Sequence, residues 1–177
     1  MTAYEELMAF QRETEALAEV AGRLGWDQET VMPRGAAPQR SEEMAAMQGV
    51  LHARHIAPQV SDWLAAIDEA PLDEVATAQI RHIRRAHDRA TRVPGALASR
   101  IARVTSRAQG LWAEARAADD FAAFAPVLEE VIALKREEGQ ALAAGGDVYD
   151  AMLDDYEPGA TAETLTAMFG ALRPAPV

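Results

Sequence analysis

Apolar residues in this 177-residue chain recur every three to four positions almost from end to end, and nowhere do they alternate one by one. That spacing gathers them on one face of a helix, whereas a half-buried strand needs a period of two. The chain therefore reads as all-α, a bundle of about six to eight antiparallel helices in one domain spanning residues 1–177. Aromatic residues make up only 6% of the sequence, so the core must be aliphatic and lined with alanine, which suits closely packed helices.

Tyr4, Leu7, Met8, Leu17, Val20, Ala21 and Leu24 share the face of a first helix, which Gly25 is placed to end. Met44, Met47 and Leu51 mark a second helix that stops before Pro58, and Val60, Trp63, Leu64 and Ile67 mark a short third. Pro71 opens a fourth, with Leu72, Val75, Ala76, Gln79 and Ile83 turned inward. Pro94 suits the first turn of a fifth, whose stripe is Leu97, Ile101, Val104, Ala108, Leu111 and Ala115. The "ADD" at 118–120 caps a sixth helix that runs to about residue 144 and is closed by Gly145 and Gly146. A shorter helix follows in "DVYDAMLDDYEPG", ended by Pro158 and Gly159. Thr161 then caps a last amphipathic segment bearing Leu165, Met168, Phe169 and Leu172.

The formal charge is −11, which opposes binding to nucleic acid and to anionic membranes. Residues 81–107 run against that trend, with eight arginines and Asp88 as their one carboxylate. Arginines 81, 84, 85, 89 and 92 share a helical stripe, as phosphate contacts would require, but no aromatic side chain interleaves them. Ion pairing with acidic helices of the same fold is the favoured reading. Asp154 and Asp155 lie at the end of their helix where the dipole disfavours negative charge, so an arginine from 81–107 is expected to compensate them. No cysteine is present, the N-terminus "MTAYEELMAF" lacks an export signal, and no apolar run approaches membrane-spanning length. A cytoplasmic protein is expected.

Candidates for chemistry are few. His52 and His55 stand three apart on a helix, but no third metal ligand has matching spacing, and two surface histidines near a helix C-terminus explain them better. His82 and His87 diverge. There is no His-Glu-x-x-His, no Gly-x-Ser-x-Gly and no phosphate-binding glycine loop, so no residue is assigned a catalytic or metal-binding role. Asp147 and Asp150 read as a helix cap and a first-turn acid, not as calcium ligands.

The stretch "GWDQETVMPRGAAPQR" at 25–40 is the most demanding. Trp26 reads as a plug where two helices splay, Asp27 as the cap of a short turn, and Pro33 and Pro38 as stiffeners of the exit. Chain geometry does not explain why Gln28, Glu29, Thr30 and Met32 should be these types.

Two segments resemble landmarks of the carboxypeptidase Taq family of zinc metallopeptidases. "GWDQETVMPRGAAPQRSEEMAAM" is similar to that family's Trp-Asp-x-x-Thr-x-Met-Pro stretch, carried here by Trp26, Asp27, Thr30, Met32 and Pro33. "VYDAMLDDYEPGAT" is similar to its Tyr-Asp-x-x-Leu-Asp-x-Tyr-Glu-Pro-Gly segment through Tyr149, Asp150, Leu153, Asp154, Tyr156, Glu157, Pro158 and Gly159. The order and separation of the two agree with the family, so the resemblance spans nearly the whole chain. It implies a metal-dependent carboxypeptidase that releases residues one at a time from peptide C-termini, commonly a homodimer. In that family, zinc is held by the two histidines of His-Glu-x-x-His and a later glutamate, none of which has a counterpart here.

The resemblance therefore implies the N-terminal helical part of such an enzyme, without cofactor or catalytic residues of its own and inactive alone. Trp26, Asp27, Thr30, Met32, Pro33, Asp154, Tyr156 and Glu157 are expected to line its groove or to be structural. A free-standing helical protein that dimerises or binds a partner is the alternative. Apolar surface left bare is expected to drive self-association, with Leu165, Met168, Phe169 and Leu172 at the contact.

Overall fold

The computed structural model describes residues 1–67 and 72–173, and every regular element among them is helical. In chain order these are α1 (Ala3–Thr30), α2 (Ala37–His55), α3 (Pro58–Ile67), α4 (Glu74–Arg92), α5 (Gly95–Ala117), α6 (Phe121–Ala143), α7 (Val148–Leu153) and α8 (Ala162–Leu172). A 3-10 turn at Arg34–Ala36 joins α1 to α2. The all-α architecture is as expected.

Two compact units divide the chain, Met1–Leu134 and Lys135–Val177. In the first, α1 and α2 run antiparallel: Arg54 near the end of α2 donates to Thr14 Oγ1 at 2.9 Å, while Arg40 near its start meets Asp27 at 2.5 Å. α2 and α5 are antiparallel as well and approach closely through small residues. A methyl group added at Gly49 would lie 3.6 Å from Ser99 Oγ, and one at Gly95 only 3.0 Å from His52 Cδ2.

One core cluster joins Leu7, Val60, Leu64, Ile67 and Ile80, flanked by Phe10 and Trp63, whose rings tilt together at 5.6 Å. The Trp63 indole N–H is satisfied by Glu6 Oε2 at 2.8 Å. A second cluster collects Leu97, Val104, Ala108, Val127 and Leu134.

In the second unit, α7 approaches the end of α6 closely at Gly139. A methyl group at Gly139 would meet Val148 Cγ1 at 2.8 Å, so glycine is what permits the approach. Ala144 and Gly145 take left-handed backbone (φ 48° and 93°) and stop α6 at the place the glycine pair predicts. Asp147 caps α7 by accepting from the Asp150 N–H at 2.9 Å, as read from the sequence.

Several expectations fail, each for a physical reason. Gly25 does not end α1, which continues five residues further to Thr30, because Asp27 and Gln28 find partners on neighbouring helices. Trp26 plugs nothing: 64% of it is exposed. Asp27 caps no turn but sits inside α1 and pairs with Arg40. Val75 points outward, 67% exposed, because the inward stripe of α4 runs through Ala76 and Ile80 instead. Val20 and Leu111 also leave the faces read for them. α7 stops at Leu153, ahead of Pro158 and Gly159, and an irregular turn carries the chain on. Pro71, read as the start of the fourth helix, lies outside the described residues; Asp73 caps α4 by accepting from the Ala76 N–H at 2.7 Å.

Candidate functional site

The first landmark segment forms the last turns of α1 and the corner after it. Asp27 and Gln28 face the protein. Arg40, buried on α2, donates from Nη2 to Asp27 Oδ2 at 2.5 Å, from Nη1 to the Leu24 carbonyl at 2.5 Å and from Nε to Glu43 Oε2 at 3.0 Å. The hydrogen bond to Asp27 holds the guanidinium still more firmly in its charged form. Gln28 exchanges two hydrogen bonds with Ser106 of α5. Its Nε2 donates to the Ser106 carbonyl at 2.9 Å and its Oε1 accepts from Ser106 Oγ at 2.6 Å.

Thr30 Oγ1 donates back to the Trp26 carbonyl at 2.7 Å, a local bond that suits the last turn of a helix. Pro33 sits in extended backbone (φ −62°, ψ 139°) ahead of the 3-10 turn, and Pro38 occupies the first turn of α2, where its missing N–H costs no helical bond. Asp27 and Gln28 are thus clamps between helices, while Trp26, Glu29 and Thr30 remain exposed and Met32 half-buried. Neither Arg40 nor Ser106 stood out in the sequence, because their partners lie 13 and 78 residues away and no local pattern marks them.

Behind this corner, α1, the 3-10 turn, α2 and α5 enclose a groove of about 870 Å³. Gln28, Thr30, Met32, Ser41, Glu42, Arg103, Arg107 and Leu111 are among the side chains lining it. Arg103 grips Glu42 with two parallel hydrogen bonds of 2.7 and 2.9 Å, which hold the Glu42 carboxyl below its usual range and the guanidinium above its own. Arg107 pairs with Glu130, and Arg34 lies 3.7 Å from Glu114. These contacts bear out internal pairing for part of the arginine-rich stretch. Amides, hydroxyls, a thioether and matched charges suit a binding wall; no histidine lines the groove among the described residues.

The second landmark lies in the other unit. Asp150 Oδ1 accepts from the Ala162 N–H at 2.6 Å, and Asp154 Oδ1 accepts from the Gly159 N–H at 2.9 Å, where Gly159 is left-handed at φ 84°. These carboxylates shape a turn. Tyr156 stands out of it, 86% exposed, and Glu157 is exposed beside it.

The histidines depart from the surface reading. His52 is only 7% exposed, pressed against Gly95, and burial pushes its pKa down. Burial also lowers the pKa of His55, opposed by Glu15 and reinforced by His52, His87 and Arg54. His87 Nδ1 donates to the His55 carbonyl at 2.6 Å. Among the described residues, no three histidine, aspartate or glutamate side chains are grouped so as to hold a metal ion. The donor set does not fit a catalytic zinc, which needs three protein ligands, and no metal-dependent step can be drawn through these residues.

A family model described as carboxypeptidase Taq (M32) metallopeptidase matches residues 6–176. The chain belongs to the carboxypeptidase Taq family. Thermostable carboxypeptidase 1 of Thermus thermophilus is 37% identical to it over 184 residues, covering 97% of this chain and 36% of the relative. Thermostable carboxypeptidase 1 of Pyrococcus furiosus is 29% identical, covering 95% and 34%. Among solved structures, Trypanosoma cruzi metallocarboxypeptidase 1 is 31% identical, with a TM-score of 0.75 over 97% of this chain and 35% of its own. The structure called BsuCP, 22% identical, shares the fold with a TM-score of 0.91, covering 99% of this chain and 36% of that one. This carboxypeptidase Taq chain therefore spans about a third of the length of the relatives it matches. No described helix is long and apolar enough to cross a membrane.

Proposed function

We propose that this chain is the N-terminal helical region of a zinc-dependent carboxypeptidase that releases single residues from peptide C-termini. Zinc, the water it activates and the peptide bond to be cleaved belong, in this reading, to the part of the family's chain that has no counterpart here. What supports it is one pairing of observations: the family match runs from residue 6 to 176 yet reaches only about a third of the relatives' length, and the described residues offer no three-ligand set. In the intact enzyme, which we read as a cytoplasmic homo-oligomer, the corner at residues 26–33 and the groove behind it form a wall of the peptide-binding cleft. Gln28 and Asp27 keep that wall rigid, and Trp26, Thr30 and Met32 present it.

The 177-residue chain alone is expected to turn over no peptide and to hold zinc only weakly. Purified chain, supplied with zinc and a peptide of mixed sequence, checks this by the release of free amino acids and by calorimetric titration of the metal. Turnover that a chelator abolishes, or tight stoichiometric zinc binding, would overturn the reading.

A further inference from the structure

We propose that the corner between α5 and α6 holds a site for a free α-amino acid with an apolar side chain, its ammonium met by Asp119 and its carboxylate by Arg116. Free amino acids are also what the proposed activity releases, but charge and shape at the corner identify the ligand without that reading.

An open cleft of about 500 Å³ lies at this corner, lined by Trp112 and Arg116 of α5, Asp119 and Asp120 of the turn, and Phe121 and Phe124 of α6. Small-molecule sites span roughly 300–1,000 Å³ and combine apolar walls with a few placed polar groups. Phe124 packs against the core cluster of Leu97 and Val104, which anchors one wall. Trp112 and Phe121, by contrast, are 48% and 70% exposed, so packing within the described residues does not account for them. In a chain with 6% aromatics, three rings on one cleft are a concentration.

The charges at the rim are uncommitted. Among the described residues, neither the Arg116 guanidinium nor the Asp119 carboxylate enters an ion pair or a side-chain hydrogen bond, although the two stand three positions apart. Asp119 takes left-handed backbone at φ 53° just past the end of α5, where glycine or asparagine would close the turn equally well. Turn geometry therefore leaves its negative charge unexplained. Asp120 differs, since its Oδ1 accepts from the Ala123 N–H at 3.0 Å and caps α6.

Unpaired charges of opposite sign beside aromatic faces match a zwitterion that carries an apolar group. Asp119 can accept from an ammonium, and Arg116 can hold a carboxylate through two N–H groups. A simple cation would be opposed by Arg116, and a simple anion by Asp119. The corner is also fixed in advance: the Ala118 N–H donates to the Glu114 carbonyl at 3.1 Å and the Asp120 N–H to the Ala115 carbonyl at 2.8 Å. A ligand there need not order the turn that receives it.

Calorimetric titration of the 177-residue chain with L-phenylalanine tests this, beside N-acetyl-L-phenylalanine, which lacks the ammonium, and L-phenylalaninamide, which lacks the carboxylate. L-phenylalanine is expected to bind saturably at one site, and each blocked form about tenfold or more weaker, as for a lost charged hydrogen bond. Asp119→Asn, which keeps a residue tolerant of left-handed backbone, and Arg116→Gln should each weaken L-phenylalanine by about the same factor. Both should leave the thermal midpoint of the unliganded chain unchanged, and Asp119→Asn should leave the acetylated form's affinity where it was. The blocked forms decide on the native chain alone should a variant prove unstable. No saturable binding, blocked forms that bind as well as L-phenylalanine, or undiminished binding to both stable variants would overturn the site. Tighter binding of the amide, lost in Asp119→Asn alone, would assign the cleft to a cation and overturn it too.

Discussion

Arg40 Nη2 stands 2.5 Å from Asp27 Oδ2, and the same guanidinium reaches the Leu24 carbonyl with its other arm. Through this fork α2 grips the last turns of α1, so a segment that reads as a corner folds as helix. Arg40→Met is expected to lower unfolding free energy by about 1.5–3 kcal/mol, the range for hydrogen bonds to charged groups. Arg40→Lys should recover little of it, since an ammonium cannot make both contacts in one plane. Urea denaturation of the three proteins checks this; full recovery by lysine would show that charge alone matters.

Gly25 lies inside α1 with helical backbone, and an added methyl group would meet nothing within 4 Å. Gly25→Ala should therefore stabilise the protein by about 0.5–1 kcal/mol, the helix-interior penalty of glycine. A helix-terminating glycine would behave in the opposite way. The sign of the shift in thermal midpoint decides between them.

Trp26 and Trp63 should respond very differently to truncation. Trp26→Ala is expected to change stability by no more than about 0.5 kcal/mol, as for exposed positions generally. Trp63 packs on Phe10 and bonds to Glu6, so Trp63→Ala should cost on the order of 3 kcal/mol. Acrylamide should quench Trp26 fluorescence more readily than that of Trp63, measured in variants that retain one of the two together with Trp112.

His52 and His55 both have folded-state pKa values pushed below the ordinary 6.5, chiefly by burial. Well above 6.5 both are neutral in the folded and the unfolded chain, and their contribution is whole. As pH falls below 6.5 the unfolded chain takes up protons that the folded chain refuses, so stability drops until the folded values are reached. The thermal midpoint should decline on acidification from roughly pH 7.5 to 5.5, and His52→Gln should make the decline shallower. A midpoint that rises on acidification would contradict the burial of these imidazoles.

Much of this architecture was legible before any coordinate was known. Caps at Asp147 and Thr161, the glycine stop after α6 and the stripe through Leu97, Val104 and Ala108 are all local, set within one or two turns, and the structure keeps each of them. The candidate site was legible as a pair of landmarks but not as chemistry. Its working contacts, Asp27 with Arg40 and Gln28 with Ser106, join residues far apart in the chain.

Helical periodicity is a property of neighbours, so the order of residues along the chain was enough to set where helices form and which faces are apolar. It could not say that α1 outruns Gly25, that His52 is buried against Gly95, or that Trp26 is left in solvent. Those outcomes depend on which helix comes to lie against which. A hydrogen bond between distant residues exists once packing has brought its donor and acceptor within about 3 Å.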